Sequence, residues 1–442
     1  MNELLRSHGT VNGAADLHRQ ARDQLPLKLL LLLIFSLCLM QPPVPLLGFM
    51  AVPTDFLFLA VVAAWAVFLV RQRARPVWDR AYIFIALYLL AMVLSIPGSE
   101  SPRASIIKFL TQLYLASLPV IVASLVSTEA QLRTAVRWWL AGSALTAAVA
   151  LASLAVFAAN PDSPVVQFAL SVKGTLPPGN YPRLQLTFMN PNQACNYLTV
   201  SLMLLLAAWR ANWVDVRAFA WLLAGILLAS ATTISPGLGG IVLGLGLWGW
   251  LLFRNAITRR LSLLAGVAGA CLFIVAMAVT PILHPTAPYL IHVPVANATL
   301  APSGRLMIWT DAVRNFMAHP LMGRGIGIDP VMVKYLDPSG LLETSTDAHN
   351  AFLSIAVQCG TIGLLALVLL VWHMASRTFP LRIDGDGPSV IRTGVGLGLL
   401  IGLVYEGLGG SFEDARHLWV AFGLLLASDR LSERTRAPRD RA

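Results

Sequence analysis

The chain has 442 residues, 57% hydrophobic and 12% charged, with a mean hydropathy of +0.70. A soluble domain carries roughly 25% charge, so this composition excludes an ordinary soluble protein and points to a polytopic membrane protein. The formal net charge of +10 reports topology and lipid contact here, and gives no sign of nucleic-acid binding.

In chain order, the polar start (residues 1–24) runs into the first apolar stretch with no small-residue cleavage site, so a retained tail is expected. Crossing a hydrocarbon core of about 30 Å takes about 20 helical residues. On that measure we expect twelve spans, roughly at 25–41, 54–70, 78–97, 105–126, 134–158, 188–209, 217–233, 237–253, 261–283, 350–374, 390–408 and 415–429. The expected fold is all-α: about twelve transmembrane helices and a long loop holding short amphipathic helices.

Placing both termini in the cytoplasm puts 23 of the 32 Lys and Arg residues on that side and leaves 9 outside. This agrees with the positive-inside bias. The organisation is then a cytoplasmic tail (1–24), nine spans (25–283), a periplasmic loop (284–349), three spans (350–429) and a basic tail (430–442). The cytoplasmic loops are too short for a catalytic domain. Chemistry is expected in the two long external connections, near 159–187 and 284–349. Cys38, Cys195, Cys271 and Cys359 all fall in apolar runs without metal-ligand spacing and read as buried small hydrophobes.

The first connection ends in PPGNYPRLQLTFMNPNQACNYL. Asn190-Pro191-Asn192 reads as a helix start, with Asn as a cap and Pro in the first turn. Arg183, about one turn ahead, is either an interfacial arginine reaching headgroups or an anion ligand, since its fork matches phosphate.

The second connection carries Arg305, Asp311, Arg314, Arg324, Asp329, Lys334, Asp337, Glu343 and Asp347 between apolar runs. That many charges cannot sit in hydrocarbon. Ser303 is a candidate N-cap for a helix over 304–318, with Leu306, Trp309, Ala312, Val313, Phe316 and Met317 on one apolar face. His319-Pro320 ends it, and GRGIG (323–327) makes a turn expected to present Arg324. His349 follows Asp347 and precedes Asn350 at the next helix start. It reads either as a cap or as a base, imidazole being the side chain that ordinarily titrates near neutral pH. His284, His292 and His319 compete with it. The last external turn brings Glu406, Glu413, Asp414 and Arg416 to the same side. Lys108 and Glu406 are the main ionisable residues expected within spans.

Three segments resemble the O-antigen ligase and polymerase family of bacterial inner-membrane glycosyltransferases. These are SGRLMIWTDAV with the HPLMGRGIG turn, DAHNAFLSIAVQCGTIG, and the upstream RLQLTFMNPNQACNYL. SFEDARHLWVAFGLLL is similar to that family's last span. The resemblance covers about residues 180–430. It implies metal-independent, cofactor-free transfer of a glycan from an undecaprenyl-diphosphate donor to an acceptor hydroxyl in the periplasm. The acceptor would be lipid A-core, or a growing glycan in a polymerase. In one place the chain departs from the family: where Ser-Arg-Gly is usual, it reads TTISPGLGG, with Pro236 in the arginine's place.

The resemblance and the chemistry together nominate His349 as general base and Arg183, Arg305 and Arg324 as diphosphate ligands. Asn192, Trp309, Asp347 and Asn350 are expected to support them. Preorganised cations at a departing diphosphate stabilise the transition state beyond the ground state. The alternatives from other classes are a polysaccharide or lipid transporter and a non-catalytic assembly scaffold.

Overall fold

The computed structural model describes residues 24–46, 49–73, 75–173, 181–282, 293–295, 298–302, 304–336, 342–410 and 415–436. Ser303, His284, His292, Asp337, Glu413, Asp414, residues 1–23 and residues 437–442 lie outside these.

Each expected span contains a helix. They are α1 (Leu25–Ser36), α2 (Pro53–Gln72), α3 (Ala81–Ser95), α4 (Pro102–Leu125), α5 (Glu129–Ala159), α7 (Pro191–Arg210), α8 (Val216–Thr232), α9 (Leu238–Leu252), α10 (Ala256–Ala278), α12 (Ala351–Thr378), α13 (Gly387–Gly409) and α14 (Arg416–Arg436). A short α6 (Pro164–Ala169) and the loop helix α11 (Gly304–Ala318) complete the set. Six helices among the described residues are long and apolar enough to cross a membrane: α2, α4, α5, α10 up to Val275, α12 and α13. Four more, α1, α3, α8 and α9, are apolar but shorter.

The described chain is mostly helical, as expected, with a few short strands added. Short strands decorate the helix ends: the hairpins β1 (Val44–Leu46) with β2 (Phe49–Ala51) and β3 (Leu170–Lys173) with β4 (Pro182–Leu184), a three-stranded sheet β5 (Val279–Ile282), β7 (Ala298–Pro302), β6 (Val293–Val295), and the hairpin β8 (Val333–Leu336) with β9 (Leu342–Ser345). The ninth apolar run therefore leaves the helix at Ala278 and continues as a strand paired with Ala298–Pro302. Stretches rich in Val and Thr with interspersed Pro satisfy their backbone groups better in a ladder than in a helix.

α7, α13 and α14 form the centre of the bundle. From Ala194 to Ala208 every residue of α7 is buried. Trp139 of α5 stacks on Tyr197 at 5.5 Å and donates its indole N–H to Ser201 Oγ at 2.9 Å, pinning α5 to this centre. Cys38, Cys195 and Cys359 are buried as expected, whereas Cys271 is exposed on the outer helix α10.

Charges inside the bundle are more numerous than Lys108 and Glu406. Arg416 of α14 grips Asp55 of α2 with both arms of its fork (2.7 and 2.9 Å), and Tyr114 donates to the same carboxylate at 2.8 Å. At the other end, Arg377 bridges Asp79 (2.9 Å) and Asp429 (2.8 Å), and Arg392 also reaches Asp429 (3.2 Å). In both clusters each charge is neutralised by a residue distant in sequence, which is the condition for tolerating it.

α12 is broken at Gly360, whose φ of 65° and ψ of −163° are essentially closed to residues bearing a Cβ. A helix break frees backbone groups that hydrocarbon cannot satisfy. The turn after α11 satisfies them. Arg324 and Gly325 donate N–H bonds to the Val357 and Gln358 carbonyls at 2.9 Å each, and Thr361 N–H donates to Pro320 at 2.8 Å. Gly323, at φ 72°, lies so close that a Cβ there would come within 2.4 Å of the Gln358 backbone. Gly360→Ala should therefore cost about 2–4 kcal/mol, from backbone strain plus a collision with the Leu321 carbonyl. A thermal-unfolding series in detergent measures this against Gly98→Ala, where the added methyl meets open space and should change stability by no more than about 0.5 kcal/mol.

Candidate functional site

The first turn of α7 organises the site. Asn190 is the N-cap, accepting the Gln193 N–H at 2.8 Å, so Asn192 stands free to link other elements. Its Oδ1 accepts from Arg183 Nη2 (3.3 Å) and from Ser235 Oγ (3.0 Å), while its Nδ2 donates to the Gly409 carbonyl (3.2 Å). Ser235 in turn meets the Tyr405 hydroxyl at 2.8 Å. The end of β4, the α8–α9 junction and the end of α13 are thus tied through one amide.

Arg183 Nε also donates to the Thr233 carbonyl at 3.1 Å, within the TTISPG junction that holds Pro236. Arg305, in the first turn of α11, donates to the Leu408 carbonyl at 3.3 Å. Both guanidinium groups are half-buried, and neither is paired with a carboxylate among the described residues. Burial is the main influence drawing both below the ordinary arginine range. At Arg305 the positive charge of Arg183 acts the same way and Asp347 opposes it. Guanidinium nevertheless stays protonated. Two neighbouring cations that spend hydrogen bonds only on neutral carbonyls and an amide form a site suited to an anion.

α11 carries Arg305 to this position and fixes the turn beside it. The expected single apolar stripe is divided. Ile308 and Ala312 are buried, with Trp309 and Phe316 packed against them, in a small core with Val331, Val333, Ala348 and Val357; Leu306, Val313 and Met317 are exposed. Trp309 Nε1 donates to the Ala348 carbonyl at 3.1 Å, so one turn of helix separates Arg305 from a bond to the residue just before His349.

His349 has a φ of 47°, uncommon for a residue with a side chain. The conformation is held by Asp347, whose Oδ1 accepts the His349 N–H at 2.9 Å and whose Oδ2 lies 3.4 Å from His349 Nδ1. The imidazole is 40% exposed, open to a substrate. Asn350, not His349, caps α12, accepting N–H bonds from Phe352 and Leu353 at 3.0 Å each.

Arg324 is placed differently. Its fork grips Glu100 of the α3–α4 loop at 2.6 and 2.8 Å, lowering the Glu100 carboxyl pKa and raising its own, chiefly through that hydrogen bond. The structure therefore brings Arg183, Arg305, Asn192, Trp309, Asp347, His349 and Asn350 to one end of the bundle. It gives Arg324 to the brace around the α12 break. Arg416 is committed to Asp55, and Glu406 is buried and accepts from Asn196. Sequence reading missed Ser235 and Tyr405; their neighbours Pro236 and Glu406 were the nearest local signals. Among the described residues no three His, Cys, Asp or Glu side chains gather as a metal-holding group.

Residues 218–368 match the O-antigen ligase family. Over this segment the chain is O-antigen ligase-like. The match covers about a third of the chain and includes the Pro236 junction, Arg305, Arg324 and His349; Arg183 and Asn192 lie upstream of it. It supports a membrane glycosyltransferase of the O-antigen ligase or polymerase type. A search of curated proteins finds no match. The O-antigen ligase-like segment thus spans α8 to α12, and its polar residues meet the end of α7 that the upstream part supplies.

Proposed function

We propose that the protein transfers a glycan from undecaprenyl diphosphate to an acceptor hydroxyl at the periplasmic face of the bacterial inner membrane, ligating O-antigen to lipid A-core. The observation that supports it best is the pair of uncompensated arginines, Arg183 and Arg305, beside the Asp347–His349 turn at the apolar bundle's end.

In this reading His349 Nδ1–H is turned toward Asp347, leaving Nε2 to take the acceptor's proton. The acceptor oxygen forms its bond to the sugar C1 as the C1–O bond to the diphosphate breaks. The electron pair leaves on undecaprenyl diphosphate, whose growing charge Arg183 and Arg305 meet. Asn192 and Trp309 hold these groups in register. Arg324 braces the fold in this account, and Arg183 serves the junction where Pro236 stands. The apolar spans accept the polyprenyl tail from the side, and the reaction needs no divalent ion or cofactor.

The acceptor assignment is tested by offering purified protein one labelled lipid-linked oligosaccharide with and without lipid A-core, in EDTA. Label should appear on lipid A-core and should not lengthen on the carrier in its absence. Carrier-bound chains of doubled length would instead make it a polymerase. Orientation is checked by single cysteines in a cysteine-free background: Ser163→Cys should react with an impermeant reagent in spheroplasts, and Ser376→Cys should not.

A further inference from the structure

The far end of α7 borders a cleft. α7 runs about 27 Å from Asn192 to Arg210, so the turn at 211–215 lies at the end of the bundle remote from the arginine cluster. There α5, this turn and the start of α8 line an open cleft of about 960 Å³. Its lining includes the charged Arg137 and Asp215, the indoles of Trp209 and Trp221, and Ala141 and Ala144, about one turn apart on α5.

The charges in it are not spent on each other. Arg137 donates once, from Nη2 to the Trp213 carbonyl at 3.3 Å, and pairs with no carboxylate among the described residues. Its neighbours Arg133 and Arg210 are occupied by Glu129 and Asp384. Asp215 caps α8 through Oδ1, which accepts the Arg217 and Ala218 N–H groups at 3.0 Å each. Those bonds, Ala218's first, hold its carboxyl below the usual range, and Oδ2 takes no bond among the described residues. Trp221 is 81% exposed, as suits an indole at headgroup level.

One free cation favours a phosphate. A free carboxylate oxygen in a cleft also lined by the exposed Trp221 indole favours an ammonium group. Small residues on the adjoining helix leave room for a hydrocarbon chain. We propose that this cleft seats a membrane glycerophospholipid bearing a primary amine, with its phosphate on Arg137, its ammonium on Asp215 and an acyl chain along Ala141 and Ala144. A purely anionic headgroup would face repulsion from Asp215, and a choline group has no N–H to give it. The inference requires a membrane protein but is independent of the transferase reading.

The test is native mass spectrometry of the full chain in detergent, titrated separately with phosphatidylethanolamine, phosphatidylglycerol and phosphatidylcholine. Phosphatidylethanolamine should bind roughly tenfold more tightly than either of the others, the scale of one charge-assisted hydrogen bond. Asp215→Asn keeps a good N-cap and should bring phosphatidylethanolamine down to the phosphatidylglycerol level. Arg137→Gln should weaken both lipids, and Arg254→Gln, at an exposed position elsewhere, should weaken neither. Equal binding of the three lipids, or an undiminished preference in Asp215→Asn, would overturn the proposal. So would equal losses in Arg254→Gln and Arg137→Gln, which would indicate diffuse surface charge. Competition by free O-phosphoethanolamine at the lipid's own affinity would assign the site to a soluble headgroup instead.

Discussion

His349→Ala should insert and fold, yet transfer glycan about 10²–10⁴ times more slowly, the usual contribution of a positioned general base. That corresponds to a loss of roughly 3–5 kcal/mol in transition-state stabilisation. Donor affinity should hardly change, because the diphosphate is assigned to the arginines. His349 adopts a left-handed φ of 47°, where alanine is strained and asparagine is tolerated. His349→Asn is therefore the better folding control, and it should be equally slow. Since Asn350 caps α12, a rate loss in His349→Asn could not be assigned to loss of that cap. Transfer at the wild-type rate by either variant would remove His349 from the chemistry.

Arg305→Ala should weaken donor binding and slow turnover together. Charge-assisted hydrogen bonds are each worth about 1.5–3 kcal/mol, so the loss in affinity should be roughly 10–100-fold. Arg305→Lys should recover only part of it, since an ammonium group cannot make the bidentate contact. Arg183→Ala should behave similarly, because the two guanidinium groups lie close enough to feel each other's charge. Arg324→Ala gives the contrast: its fork is already committed to Glu100, so it should lower thermal stability and leave donor affinity nearly unchanged. Isothermal titration with a lipid-linked oligosaccharide in nanodiscs measures all four. If Arg324→Ala loses affinity as Arg305→Ala does, the anion site extends to the GRGIG turn.

The helices were legible in the sequence because each apolar run can be read locally; six of them among the described residues are long and apolar enough to cross a membrane. The ends were not. Past Ala278 the chain stays apolar but pairs as a strand with Ala298–Pro302, and no local pattern announces a partner some twenty residues away. The same limit divides the arginines. Arg183, Arg305 and Arg324 looked equivalent as charges near apolar runs. Glu100, 224 residues from Arg324, neutralises one of them, and only folding reveals it. The cap at Asn190 and the helix at 304–318 were readable because Asx capping and helical periodicity are local. The hub at Asn192 was not, since its partners Ser235 and Gly409 arrive from other helices. Likewise nothing local joins Arg377 to Asp429 and Asp79, which lie 52 and 298 residues away in sequence.

The central claim is that the chain breaks and makes a glycosidic bond at the Arg183–Arg305–His349 cluster. It is tested most directly by supplying purified protein, in nanodiscs with EDTA and no ion gradient, with a lipid-linked oligosaccharide and an acceptor. The account predicts one undecaprenyl diphosphate released for each glycan transferred, lost in His349→Asn. Donor recovered intact, whether moved across a sealed bilayer or merely bound, would contradict it.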